Sequence, residues 1–306
     1  MPRRVCFVAM VTFVLLWSIL VSGSRAHAQD SGQEKKIVVC STTQIADFAR
    51  QIVGDDWQVE CVLAPGQDPH MYDPRIEDTN MVKRATLCLQ NGWHLEGGEW
   101  MQNLADASSK PIVTCVKGIK PLKTMEEAGE VDDPHAWFTP VNAVVYVRNI
   151  LEAVSKLDPE NAHRFKQRAE LYMGELNALN NWIDSQVSQI PAEQRVLVTH
   201  HDAFGYFCKE YNFKSLAPAG WTTEEIGGIS LERRQEVVES IREIGVRSIF
   251  VETSLDDRMI SDIAREAGVE IGGHLYSDAM GAEGTAGATY IGMMRENVIT
   301  IVSALK

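Results

Sequence analysis

Residues 158–190 read DPENAHRFKQRAELYMGELNALNNWIDSQVSQI. Apolar side chains recur there every three or four positions, as on the buried face of an amphipathic helix. Asp158 is a typical N-cap, and Pro159 suits the first helical position, where no backbone N–H is needed. About thirty residues would form a rod of roughly 45 Å. The apolar positions are Phe165, Ala169, Tyr172, Leu176, Leu179, Ile183, Val187 and Ile190. Periodicity alone leaves open whether this helix crosses one large domain or joins two.

The segments on both sides of the helix favour two domains, because each alternates β-rich runs with helical patterns. We predict strands at residues 37–43, 57–64, 87–90, 111–116, 195–199, 214–217, 246–252 and 269–275. We predict helices at residues 45–53, 74–86, 97–109, 141–156, 203–211, 231–244, 256–267 and 291–305, and an irregular loop at 119–133. Strands separated by helices imply right-handed crossovers and parallel sheets. The predicted fold is α/β, with two lobes at 37–157 and 191–306 that are joined by one long helix at 158–190.

The first 28 residues have the features of a secretory signal peptide. Two arginines, Arg3 and Arg4, precede an almost purely apolar run at residues 7–21, and Ala26-His27-Ala28 is a small-x-small cleavage site. The run is short for a membrane span. No cysteine stands at the cleavage point, so we expect no lipid attachment and a soluble, periplasmic protein. Residues 29–36 form a polar tail.

The charge of the chain argues against nucleic acid as a partner. The whole sequence has a net charge of −13, and the predicted signal removes three arginines and no acidic residue, so the mature chain would carry −16. Phosphate backbones require basic surfaces. With 45% hydrophobic residues, the chain can bury a large core as one big domain or two medium ones.

Five cysteines remain after the predicted cleavage: Cys40, Cys61, Cys88, Cys115 and Cys208. No two of them have C-x-x-C spacing, which argues against a cysteine zinc site or a redox motif. We expect buried free thiols. A disulfide between neighbouring strands stays open in an oxidising compartment, although the odd number leaves at least one thiol unpaired.

Two loops in the first half carry the same Asp-Pro-His order. Residues 66–74, GQDPHMYDP, present His70 directly after a predicted strand, and residues 133–137, DPHAW, present His135. In open α/β sheets, ligands bind at the carboxyl ends of the strands. One histidine in a loop is usually only solvated, whereas two such loops indicate a shared site.

The second half supplies further candidate ligands at strand ends. His200 and His201 lie where a strand meets a helix, and alternation allows only one of them to point into a given site. Asp278 follows the last predicted strand. Three imidazoles and one carboxylate suit a borderline divalent cation.

With these motifs, the chain resembles the zinc/manganese-binding family of ABC-transporter solute-binding proteins over essentially the whole predicted mature length. The most specific segments are residues 66–74, 133–137, 201–207 (HDAFGYF) and 276–281 (YSDAMG). The resemblance assigns the metal ligands to His70, His135, His201 and Asp278, and it selects His201 over its neighbour. It also implies two α/β lobes spanned by one long helix.

Two departures from this family bear on the metal. Zinc-specialised members often have a long His-rich loop before the second ligand, whereas residues 119–133 are acidic, short and without histidine. Manganese-specialised members often have Glu where this chain has His201. The sequence therefore predicts one Zn²⁺ or Mn²⁺ per chain as cargo and leaves the choice between them open.

The resemblance implies capture of the ion without catalysis, in a monomer that delivers it to a membrane permease driven by a cytoplasmic ATPase. No organic substrate is expected. A closed site without a place for water suits binding better than catalysis. Each ligating imidazole should donate its other N–H to an oxygen that orients it, and the candidates are Asp68, Asp133, Asp202 and Glu252.

Two alternatives remain open. A periplasmic zinc-dependent hydrolase would use three histidines and a metal-bound hydroxide, but the chain has no H-E-x-x-H motif and no obvious general base beside a ligand. A binding protein for a metal chelate, such as haem or a siderophore, could use the same two-lobed architecture. The clustered imidazoles favour a bare ion.

Overall fold

The computed structural model describes residues 35–126, 129–220, 222–223 and 229–306. The predicted signal peptide and residues 29–34 of the polar tail lie outside these ranges. Within the described part of the chain, no helix is both long enough and apolar enough to cross a membrane.

The first half contains a four-stranded parallel sheet with helices between its strands. Its elements are β1 (Ile37–Cys40), α1 (Thr43–Val53), β2 (Gln58–Cys61), α2 (Ile76–Arg84), β3 (Leu87–Gln90), α3 (Trp100–Ala107) and β4 (Ile112–Thr114). The strand order is β2-β1-β3-β4, and all three ladders are parallel. The predicted strand at 87–90 matches β3, whereas the other three were too long because the chain leaves their ladders early. Thr43, for example, already belongs to α1.

The predicted loop at 119–133 is wrong in part, because it contains an antiparallel hairpin. Its strands are β5 (Lys123–Glu126) and β6 (Gly129–Asp132), in register from Lys123 opposite Asp132. The Lys123 ammonium lies 2.6 Å from a carboxylate oxygen of Glu130 across the hairpin. Half of the residues in each strand are charged, and no apolar alternation marks the strands in the sequence.

The long helix is present but begins later and ends earlier than predicted, which leaves Ile190 outside it. Helix α4 (Pro140–Leu157) ends at Asp158, and α5 runs from Ala162 to Val187, about 39 Å. The Asp158 carboxylate caps the turn between them instead of starting α5, since it accepts hydrogen bonds from the Trp57 indole (2.9 Å) and the Asn161 amide (3.1 Å). All seven predicted apolar positions within α5 are buried.

The second half repeats the alternation of strands and helices. Its elements are β7 (Val196–Val198), α6 (Gly205–Glu210), β8 (Lys214–Leu216), α7 (Leu231–Ile244), β9 (Ser248–Glu252), α8 (Arg258–Ala267), β10 (Glu270–Leu275) and α9 (Tyr290–Leu305). Strands β7 and β8 form one parallel ladder, and β9 and β10 form another. The α/β fold with parallel sheets in both halves and one long helix is confirmed. The lobe boundaries stay a prediction.

The long helix packs on both halves. It contacts α1 and α4 of the first half and α9 of the second. We call the buried side chains along this seam the central cluster, which includes Cys40, Phe48, Tyr146, Phe165 and Tyr290. The Phe48 ring lies 4.8 Å from the Tyr290 ring and 5.7 Å from the Tyr146 ring, measured between centroids. On the other face of the first sheet, Val39, Cys88 and side chains of α2 and α3 form the outer cluster.

Candidate metal centre

The four predicted ligands come from four loops that meet at one place. His70 follows β2, His135 precedes α4, His201 follows β7 and Asp278 follows β10. One donor atom from each residue lies within 4.8 Å of the other three. Three of these loops leave the carboxyl ends of parallel strands, which is the edge where α/β sheets usually bind ligands.

The distances between the donor atoms suit a small four-coordinate ion. The His70 and His135 Nε2 atoms are 3.3 Å apart. Asp278 Oδ1 lies 3.4 Å from His135 Nε2, and Asp278 Oδ2 lies 3.3 Å from His201 Nε2 and 3.9 Å from His70 Nε2. A tetrahedral ion with bonds of about 2.0–2.1 Å holds its donor atoms roughly 3.3–3.4 Å apart. Three of the four distances match that value.

The cluster is almost fully buried, with exposed fractions of 4% for His70, 0% for His135 and His201 and 1% for Asp278. Neither Asp278 oxygen and neither ring nitrogen of His201 has an aligned hydrogen bond in the described part of the chain. A buried charge is costly unless it is paired or coordinates a metal. The unbonded Asp278 carboxylate among three imidazoles is therefore a strong structural indication of a cation site.

Burial and the neighbouring carboxylates move the pKa values of the three imidazoles in different directions. Burial lowers the pKa of His70 to about 3. Burial also acts against a charged His135, but the hydrogen bond to Asp133 and the negative charges of Asp133 and Asp278 outweigh it and raise that pKa to about 8. The charges of Glu252 and Asp278 likewise raise the pKa of His201 well above its usual value, in spite of burial. An incoming cation must therefore displace protons from the site.

Carboxylates contact the outer nitrogens of two of the imidazoles. His135 Nδ1 lies 2.8 Å from Asp133 Oδ1, and His201 Nδ1 lies 2.8 Å from Glu252 Oε2. A carboxylate beside Nδ1 favours a proton there and leaves Nε2 free for an ion. Glu252 also fixes the local backbone, since its Oε1 accepts hydrogen bonds from the N–H groups of His200 (2.9 Å) and His201 (3.0 Å).

The other two predicted outer carboxylates make different contacts. Asp68 Oδ1 accepts a hydrogen bond from the backbone N–H of His70 (2.8 Å), not from its ring. Its Oδ2 accepts one from the Thr223 hydroxyl (2.5 Å), 155 positions away in the chain. Asp202 Oδ1 accepts a hydrogen bond from Ser215 (2.5 Å). Asp68 thus holds a ligand loop, whereas Asp202 stabilises the chain after β7.

His200 has a structural role beside the cluster. Its Nδ1 accepts a hydrogen bond from the backbone N–H of Glu252 (3.1 Å), and its Nε2 lies 3.2 Å from the carbonyl oxygen of Asp256. Both ring nitrogens therefore bind the backbone next to β9, which leaves His201 to reach the other three donors.

Sequence reasoning missed the residues that hold the His135 loop. The Asn91 amide donates to the carbonyl oxygen of Pro134 (2.9 Å), and the Tyr206 hydroxyl donates to that of Asp133 (2.9 Å). The buried carboxylate of Glu96 in turn accepts the backbone N–H of Asn91 (2.7 Å). The sequence could have pointed to Asn91 through its position, because Asn91 directly follows β3 at the sheet edge where the ligands lie.

The fold and this buried cluster define the class of two-lobed, metal-capturing solute-binding proteins. Residues 38–304 match the family described as "Zinc-uptake complex component A periplasmic". The chain belongs to this family, and the resemblance stated from its motifs is confirmed.

Three relatives illustrate the similarity. The "Manganese-binding lipoprotein MntA" of Bacillus subtilis is 36% identical over 307 residues, covering 97% of this chain and 99% of the relative. The solved structure of the periplasmic zinc-binding protein TroA from Treponema pallidum has a TM-score of 0.83 and 34% identity, covering 89% of this chain and 99% of TroA. A manganese-bound periplasmic metal-binding protein from Candidatus Liberibacter asiaticus has a TM-score of 0.80 and 27% identity, covering 89% and 100%.

Proposed function

We propose that this chain is the solute-binding component of an ABC importer, which captures one Zn²⁺ or Mn²⁺ ion and delivers it to a membrane permease. The observation that carries this function is the buried Asp278 carboxylate, which has no aligned hydrogen bond to any described residue and lies 3.3–3.9 Å from nitrogens of three imidazoles. A divalent ion would supply the missing partner for its charge.

In this proposal, His70, His135 and His201 each give Nε2, and Asp278 gives one or both oxygens. Asp133 and Glu252 hold two of the rings with Nε2 directed at the ion. Asp68 is the positioning residue of the His70 loop, through the backbone N–H that it binds. The ion leaves water completely, because every donor is buried.

The donor set is compatible with both zinc and manganese. Imidazole-rich sites bind zinc more tightly than manganese by the Irving–Williams order. The relatives include one described as manganese-binding and one as zinc-binding. The affinity measured with purified protein therefore gives the intrinsic preference of the site between the two metals. The ion carried in the cell also depends on which metal is available.

We further propose that the protein acts as an exported, soluble monomer without catalytic activity. The permease and its cytoplasmic ATPase are the partners that the family implies. The two carboxylates closest to the ligand rings support binding over hydrolysis, because Asp133 and Glu252 are committed to orienting imidazoles. A hydrolase would need such a group free to act as a general base.

Metal content measured by elemental mass spectrometry tests this function. The purified protein is stripped with a chelator and then offered zinc or manganese at buffered free concentrations. We expect one tightly held ion per chain, loss of that ion in His201→Ala, and retention in the control His163→Ala, whose side chain is exposed on α5. Full retention in His201→Ala would contradict the proposed site.

A further inference from the structure

Two cysteines lie side by side in the first sheet. Cys40 ends β1 and Cys61 ends β2, and the parallel ladder pairs them directly. Adjacent strands are about 4.7–4.9 Å apart, within the range of about 4.4–6.8 Å between the Cα atoms of a disulfide. Cys40 belongs to the central cluster and Cys61 packs against it, so both side chains leave the same face of the sheet.

The thiol of Cys61 is turned towards β1. Its Sγ lies 3.8 Å from the carbonyl oxygen of Ser41, the residue that follows Cys40. Strand β2 is also the edge of the sheet, paired on one side only, so it can adjust to a covalent link without disturbing a second ladder.

The other described cysteines are not placed to compete for this pairing. Cys88 packs in the outer cluster on the opposite face. Cys115 follows β4, which is separated from β1 by β3. Cys208 lies on α6 in the second half. All five cysteines are present as thiols in the structure.

We propose that Cys40 and Cys61 form a disulfide when the chain folds in an oxidising compartment. Both S–H bonds break and one S–S bond forms. Two protons and two electrons leave the pair. The oxidant is itself a disulfide, either of an exported thiol–disulfide oxidoreductase or of a small molecule such as glutathione disulfide, and it is reduced to two thiols. Cys88, Cys115 and Cys208 stay as thiols, which accounts for the odd number.

The surroundings of Cys40 and Cys61 indicate that the disulfide forms while the chain folds. Cys40 is fully buried. Cys61 is partly buried and lines a cavity of about 480 Å³ together with Leu63 and Met280. Burial raises the pKa of Cys61 to about 12 and that of Cys40 well above its usual value. Since the thiolate is the reactive form, folded thiols here exchange slowly.

The link would tie the edge strand that leads into the His70 loop to its neighbour. It closes a chain segment of some twenty residues, which removes conformations from the unfolded state and stabilises the folded one. This inference depends on export but not on metal capture, so the two proposals can fail separately.

Peptide mapping of refolded protein tests the link. The chain without residues 1–28 is unfolded in urea with dithiothreitol, refolded in a glutathione and glutathione-disulfide buffer, alkylated, digested and analysed by mass spectrometry. We expect one peptide pair joined through Cys40 and Cys61, and alkylation of the other three cysteines. Five alkylated cysteines, or a link between any other two, would overturn the proposal.

Variants connect the link to stability. We expect the oxidised protein to unfold at a higher urea concentration than the reduced protein, and Cys61→Ser to lose this difference. The control Cys88→Ser should keep both the link and the difference. Metal content should stay at one ion per chain with or without the link, which separates this test from that of the metal site. Equal urea midpoints for the oxidised and reduced protein would contradict the stabilising role.

Discussion

Replacing Glu252 with glutamine tests how the outer carboxylates prepare the metal site. The residue is fully buried, and its two oxygens serve different groups. Oε1 accepts the backbone N–H groups of His200 and His201, and Oε2 lies 2.8 Å from His201 Nδ1. In Glu252→Gln, the amide oxygen can still accept the two N–H groups. Its NH₂ group then faces Nδ1 and donates a hydrogen bond to it.

That donated bond favours the wrong tautomer for metal binding. A His201 ring that accepts at Nδ1 carries its proton on Nε2, the atom that must bind the ion. Loss of such an outer partner typically weakens metal affinity by roughly 10–100-fold, or about 1.4–2.7 kcal/mol. The assay is a competition titration of zinc against a chromophoric chelator, with thermal unfolding followed by circular dichroism as a check on folding.

The matched control is Asp202→Asn, which changes a nearby carboxylate that binds Ser215 and no ligand. We expect its zinc affinity to stay within about twofold of the unchanged protein. A folded Glu252→Gln variant with unchanged affinity would refute the argument that Glu252 sets the His201 tautomer.

Three further experiments test the pH response of metal binding, the rate of metal release and the packing beside the His70 loop. The carboxylates around His135 outweigh its burial and raise its pKa to about 8. We therefore expect zinc affinity, titrated between about pH 6 and 9, to rise with pH up to about 8, by up to about tenfold per pH unit for each proton displaced. An affinity that does not change with pH would contradict this. Thr223→Val removes the hydrogen bond to Asp68 and should speed metal release by about tenfold, measured by stopped-flow mixing with excess chelator. An unchanged release rate would show that this hydrogen bond does not help to retain the metal. Gly97→Ala would make a methyl carbon overlap with the carbonyl oxygen of His70, so we expect the free energy of unfolding in urea to fall by about 1–3 kcal/mol. Wild-type stability of this variant would show that the His70 loop can shift at little cost.

The parts of the fold that periodicity controls could be predicted from the sequence. The apolar positions of α5 were correct because burial against both halves demands a regular stripe. The predicted start of that helix was wrong. Asp158 is a good N-cap in isolation, but in the fold its carboxylate accepts a hydrogen bond from Trp57, which is far away in the chain. The hairpin of β5 and β6 was missed for a related reason, because its charged strands carry no apolar pattern.

For the site, the sequence indicated which residues gather but not how they are held. Repeated Asp-Pro-His loops and the family resemblance pointed to the four donors that the structure brings together. The roles of the outer carboxylates depend on side-chain direction, which spacing does not encode. Asp133 and Glu252 contact ligand rings, whereas Asp68 binds a backbone N–H instead.

Anomalous diffraction from crystals of the zinc-loaded protein tests the central claim most directly. Data collected on both sides of the zinc absorption edge locate the ion without reference to any assumed ligand. We predict a single peak about 2.0–2.2 Å from the Nε2 atoms of His70, His135 and His201 and from an oxygen of Asp278. A peak bound by other residues, or none within this cluster, would contradict capture of the metal by these four side chains.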